Sequence, residues 1–184
     1  MKKVNRRVQH LERLIVFALF GAIMFFCAQR DIIPNFHPLA LFIVSFTVVY
    51  RSQALIPIYV YVLLEGLLGG FNPWWYPYLY IWAVLWGMSM LIPKRIPEWL
   101  AGVLMIAVSG LHGILFGVLY APFQCYFMYG GDWSLTLTWL ISGIPFDTVH
   151  LIGNVTSTIL ALPFVRLLSM LSHTEYPFKT KKAK

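Results

Sequence analysis

The chain reads as an all-α integral membrane protein with six transmembrane helices and cytoplasmic N- and C-termini. Three observations predict this. First, 59% of the 184 residues are hydrophobic and only 11% are charged, a composition that a soluble domain of this length could not bury. Second, the apolar runs are separated by short turns rich in Gly, Pro or charge. Third, the cations gather at the two ends, Lys2, Lys3, Arg6, Arg7 and Arg13 at the start and Arg166, Lys179, Lys181, Lys182 and Lys184 at the finish. Such flanking charge orients membrane helices and forms no stripe for nucleic acid.

The spans follow in order as one domain over residues 1–184, at about 11–28, 38–50, 54–70, 75–92, 98–120 and 145–170. The first resembles a secretory signal, but no small-x-small cleavage site follows it, and Phe26 before Cys27 spoils a lipoprotein-type site. It is read as an uncleaved helix ending at Gln29-Arg-Asp-Ile-Ile-Pro34. The second is short for a span of roughly 20 residues and ends at the turn Arg51-Ser-Gln53. The third carries Glu65 and stops at Gly69-Gly70-Phe-Asn-Pro73. The fourth is followed by Pro93-Lys-Arg-Ile-Pro97, and the fifth runs from Glu98 to about Tyr120. Residues 123–142, interrupted by Gly130-Gly131-Asp132, are expected to form an interfacial loop with a short helix over 135–140. Gly143 and Pro145 are expected to open the last helix, because Pro suits a first helical position.

With this topology, 13 of the 14 Lys and Arg residues lie inside and only Arg30 lies outside, as the positive-inside rule requires. The polar residues of the apolar segments then converge on the outer half. Asp147, His150 and Asn154 stand three and four residues apart, on one helix face. Ionisable groups in such a place are functional candidates, although an Asp in a first turn also stabilises the helix dipole and polar side chains also join helices. Glu65, Tyr120, Gln124 and Trp133 fall at the same depth, with the aromatic cluster containing Trp74, Trp75, Tyr78 and Trp82. Aromatic faces take flat or cationic heterocycles, while a membrane-interface belt also uses Trp and Tyr. His112 lies deeper, as a ligand contact or a hydrogen-bonded interior residue. Ser109, Gly113, Gly117 and Ala121 form a small-residue face suited to close helix packing, as do Ala18 and Ala22 in the first span. Cys27 and Cys125 have no neighbours at metal-ligand spacing.

These features together resemble the substrate-binding S component of an energy-coupling factor (ECF) vitamin transporter. The resemblance covers nearly the whole chain and is most specific at Gly143-x-Pro-Phe-Asp147-x-x-His150-x-x-x-Asn154. Ala18-x-x-x-Ala22 and the aromatic loop before the fourth helix add to it. It implies a bacterial cytoplasmic-membrane subunit, not itself an enzyme, that binds a vitamin or vitamin precursor from outside. It also implies a membrane-embedded coupling subunit, contacted through Ala18 and Ala22, and two ATP-binding cassette ATPases as partners. This chain lacks a phosphate-binding glycine loop of its own, and no cofactor, metal or nucleic acid is expected. Two other readings stay open: an intramembrane enzyme using Asp147, His150 and Asn154, and a stand-alone small permease.

Overall fold

The computed structural model describes residues 6–29 and 37–180, with the side chains of 6–10, 12 and 13 left aside. Arg30, the Asp31–Pro34 loop and the terminal lysines Lys2, Lys3, Lys181, Lys182 and Lys184 lie outside the described residues. The described chain is helical: α1 (Arg6–Ala28), α2 (Leu39–Tyr50), α3 (Leu55–Gly69), α4 (Tyr78–Met90), α5 (Glu98–Ile114), α6 (Phe116–Phe123), α7 (Trp133–Thr158) and α8 (Ala161–Leu171). A 3₁₀ turn joins α2 to α3, and a π turn over Gln124–Met128 follows α6.

By length and apolarity, two described helical runs can cross a membrane, Leu39–Gly69 and Trp133–Thr158. The pair α5 and α6, bent by 43°, makes a third if counted as one span. The 31-residue run is not a single rod. Phe17 meets Tyr50 and Phe20 meets Phe46, so α2 runs antiparallel to α1. A methyl placed on Gly21 would meet Pro57 and Val60, and Gln29 bonds Glu65, so α3 runs parallel to α1. The reversal is at Arg51, whose φ of 57° lies in the left-handed region that L-residues avoid. Its neighbours clamp it there: Arg51 Nη2 donates to Met90 O at 2.7 Å, and Trp86 Nε1 donates to Arg51 O at 3.0 Å.

The same reasoning orients the rest. Tyr59 Oη donates to Leu79 O and Trp75 Nε1 to Val62 O, so α3 and α4 are antiparallel. His112 bonds Ile81 O and Tyr120 Oη donates to Trp74 O, so α5 and α6 return alongside α4. The α5–α7 contact is the most extensive in the fold. Its register runs from Ser109 against Asn154 and Thr158 to Gly117 against Asp147. The described helices therefore alternate in direction along the chain, with α5 and α6 running one way and α7 and α8 returning.

The small-residue face of α5 and α6 is a packing seam. A methyl on Gly113 would lie 2.8 Å from Leu151 N and 2.9 Å from His150 C, so α5 and α7 approach backbone to backbone, a contact only glycine permits. Several polar side chains are buried among the apolar core, and large apolar ones are exposed on the outer face of α7. Ser45, Thr47, Ser89, Ser109, His112 and Asn154 are buried, while Leu137, Ile141, Ile144, Phe146 and Ile152 on α7 are exposed.

The last helix departs from the sequence expectation. It begins at Trp133, not at Pro145, and the expected interfacial loop is half helix. Asp132 is the cap, accepting from Ser134 N at 2.8 Å and Leu135 N at 3.0 Å. An acidic residue after a Gly-Gly turn and before an apolar run is a start signal. Pro145 forfeits one helical hydrogen bond, a loss that apolar helices tolerate where neighbours and hydroxyls compensate. Ser142 Oγ and Thr148 Oγ1 bond the carbonyls of Thr138 and Ile144 on either side of it. At the other end, the expected single span is interrupted at Ile159–Leu160 before α8.

One end of the bundle collects Arg51, Lys94, Arg95 and Arg166, and the C-terminal tail closes it. Arg95 N donates to Pro177 O at 2.8 Å, and Lys179 pairs with Ile96 and Glu98. Arg166 makes two hydrogen bonds to Glu98, which also accepts from Tyr176 Oη at 2.6 Å. Burial, and then the bond to Glu98, push the Tyr176 hydroxyl up to about 12, so it remains a donor.

Candidate functional site

Asp147 lies in the middle of α7 and therefore does not serve its own helix terminus. It reaches across to α6, where Gly117 N donates to Asp147 Oδ1 at 3.0 Å. Gly117 is the second residue of α6, and the N–H groups of a first turn have no partner within their helix. The break at Leu115 thus creates a helix start inside the bundle, with the positive end of its dipole directed at a carboxylate. The second oxygen, Oδ2, has no hydrogen-bonding side chain or amide on it among the described residues. A methyl on Gly117 would meet the Asp147 carboxylate, so glycine is what lets the helix start approach it.

A cavity of about 340 Å³ opens beside this carboxylate, between α6 and α7. Its walls include Phe116, Tyr120, Trp139, Phe146, Asp147 and His150. The volume is at the small end of ligand sites, which combine apolar walls with a few placed polar groups. Among the described residues, no lysine or arginine lines it. His150 stacks on Phe116, with ring centroids 4.2 Å apart and planes 21° apart. Tyr120 faces Trp139 at 5.8 Å and is itself held by its bond to Trp74 O.

Behind Phe116 lies a nest of rings formed by Trp82, His112 and His37. Trp82 is 5.7 Å from Phe116, 5.7 Å from His112 and 6.1 Å from His37. His37 stands 5.6 Å from His150. The His112 ring is fixed by Nε2, which donates to Ile81 O at 3.1 Å, leaving Nδ1 as an acceptor. Among the described residues, no group of three His, Cys, Asp or Glu side chains is placed to hold a metal ion.

No protein-family model, curated protein or solved structure matches the chain.

The structure gathers part of the predicted residue set. Asp147, His150 and Tyr120 line the cavity. Trp82 and His112 form the nest behind it, and Tyr78 stacks edge-on between Trp82 and Trp74. Other residues lie in different surroundings. Asn154 bonds Ser109 O at 3.0 Å within the α5–α7 seam. Glu65 is buried against Gln29, 3.2 Å away, between α1 and α3. Trp75 anchors α4 to α3 through Val62 O. Gln124 belongs to the π turn, its carbonyl accepting from Tyr129 N. Trp133 is half exposed beside Tyr126 at the start of α7.

Sequence reasoning missed Phe116, Trp139 and His37. The two aromatics sit in apolar runs and carry no local signal. His37 precedes Pro38 at the edge of a loop, where a histidine is unremarkable by pattern. A second cavity of about 340 Å³ lies at the cationic end among Lys94, Arg95, Glu175 and Tyr176. Its lining carries charges of both signs and lacks the enclosed rings of the first.

Proposed function

We propose that the chain is a six-span membrane protein, the substrate-binding S component of an ECF-type importer, which captures a small vitamin-like molecule from outside. The observation that carries this reading is the cavity beside Asp147. It lies in the half of the bundle away from the cations, and it joins one carboxylate to a ring-lined wall. By the positive-inside rule the end bearing Arg51, Lys94, Arg95 and Arg166 is cytoplasmic, so the cavity opens outward. The many large apolar side chains exposed on the helices support a bilayer as solvent, and the six alternating passes supply the spans. The bend between α5 and α6 places a helix start at mid-bundle, an arrangement tolerated where it lines a cavity.

The surface of α1 supports the partner assignment. Ala18 is exposed and Ala22 partly so, beside the exposed Ile15, Leu19 and Ile23. Small residues on an outward apolar face let another helix approach closely. In this reading that helix belongs to the coupling subunit, and the two ATPases drive release on the inner side.

Uptake of the bound molecule into vesicles containing the chain, a coupling subunit and two ATPases tests the proposal. Uptake requires ATP and all partners. Ala18→Trp abolishes uptake and leaves binding to the isolated chain unchanged, because the obstruction is on the outer face of α1. Uptake by the chain alone, or loss of binding in Ala18→Trp, contradicts the assignment.

A further inference from the structure

Among the described residues, five buried side-chain polar atoms have no hydrogen-bond partner, and three of them belong to one ring nest. They are Trp82 Nε1, His112 Nδ1 and His37 Nδ1. Trp82 and His112 are essentially inaccessible, at 1% and 0% exposure. An unmet buried polar group is costly, so three together call for a physical reason. The nest is not remote from the cavity. Phe116 is the shared wall, stacked on His150 on one side and within 5.7 Å of Trp82 and 6.1 Å of His112 on the other. Phe116 is also the first residue of α6, at the break in the helix.

We propose that the cavity continues inward past Phe116, and that the full site takes a flat nitrogen heterocycle, neutral or cationic, whose inner edge carries an acceptor next to an N–H donor. The acceptor meets Trp82 Nε1–H. The donor meets His112 Nδ1, which is held as an acceptor because Nε2 already donates to Ile81 O. A lactam or amidine edge has this pairing. At the mouth, Asp147 Oδ2 accepts a second N–H from the ligand, and Tyr120 and Trp139 flank the ring. Carboxylated and phosphorylated ligands are disfavoured, because Asp147 is the only charged residue in the lining among the described residues. The proposal rests on the reading of this cavity as the substrate site and narrows it to a chemical class.

Trp82→Phe keeps a ring but removes the orphan donor together with part of the buried indole's volume, so the ligand-free protein loses some stability to the cavity left behind. It lowers heterocycle affinity at least tenfold.

The test is equilibrium binding to the full chain in nanodiscs, with hypoxanthine, adenine, pterin and pterin-6-carboxylate as probes. At least one of the three uncarboxylated probes binds, pterin-6-carboxylate binds more weakly than pterin, and Trp82→Phe and His112→Phe each weaken the bound probe. Three outcomes overturn the proposal: no probe binds, the carboxylated probe is preferred, or affinity in Trp82→Phe is unchanged. None of these outcomes touches ATP-dependent uptake, which stands or falls by the vesicle experiment.

Discussion

The two ends of the bundle treat their polar groups differently. At the cationic end Arg51, Glu98 and Arg166 are used internally. Arg51 bonds the carbonyls of Met90 and Ile92, Glu98 holds Arg166 and Tyr176, and the tail is laced to the α4–α5 turn. At the aromatic end the groups are positioned but only half used. Asp147 spends one oxygen on Gly117, and the rings behind Phe116 keep unmet nitrogens. The first end pairs these three side chains within the fold, whereas the second is built around an interaction it does not complete. This is the physical basis for placing the site between α6 and α7.

The α5–α7 seam supports that end, so breaking it has the largest effect. Gly113→Leu forces side-chain atoms into the backbone of His150 and Leu151, where overpacking costs about 1–3 kcal/mol even in adaptable cores. The melting temperature in detergent falls sharply and binding is lost with it, since the same contact sets the height of Asp147 and His150.

Asp147→Asn separates binding from folding. Its amide oxygen still accepts from Gly117 N–H, so the melting temperature changes little. The charge that meets the ligand is gone, and truncating one side of such a pair costs at least ~2 kcal/mol. Affinity measured by tryptophan quenching therefore falls roughly thirty-fold.

Asn154→Ala should do the reverse. It leaves Ser109 O without its partner, for about 1 kcal/mol of stability, and alters ligand affinity little. At the cationic end, Glu98→Gln has the smallest effect. The Arg166 side chain is 56% exposed, and exposed ion pairs contribute little. Unchanged ligand affinity in Glu98→Gln confirms that the two ends are independent; a clear loss shows that they are coupled.

The sequence made the helices and the small-residue seam legible because membrane chains mark them strongly. Pro93 and Pro97 bracket a turn, and Ser109, Gly113 and Gly117 fall on one face. It misled at Gly143 and Pro145, whose breaker chemistry was overridden by a helix already started at Asp132. Asp147, His150 and Tyr120 were recoverable as polar or amphipathic residues at one depth. Their division of labour was not. Nothing local says that Asn154 closes a seam while Asp147 meets a broken helix, because that depends on the register of α5 against α7. The expectation that Glu65 and Asp147 share a site rested on depth alone, and depth does not specify which helix faces which.

The central claim is that the Asp147 cavity holds a small molecule. Native mass spectrometry of the gently extracted chain, parent and Asp147→Asn side by side, tests it most directly. The account predicts one bound small molecule per parent chain and its loss from the equally well-folded variant. The same molecule retained at the same occupancy in Asp147→Asn would contradict it.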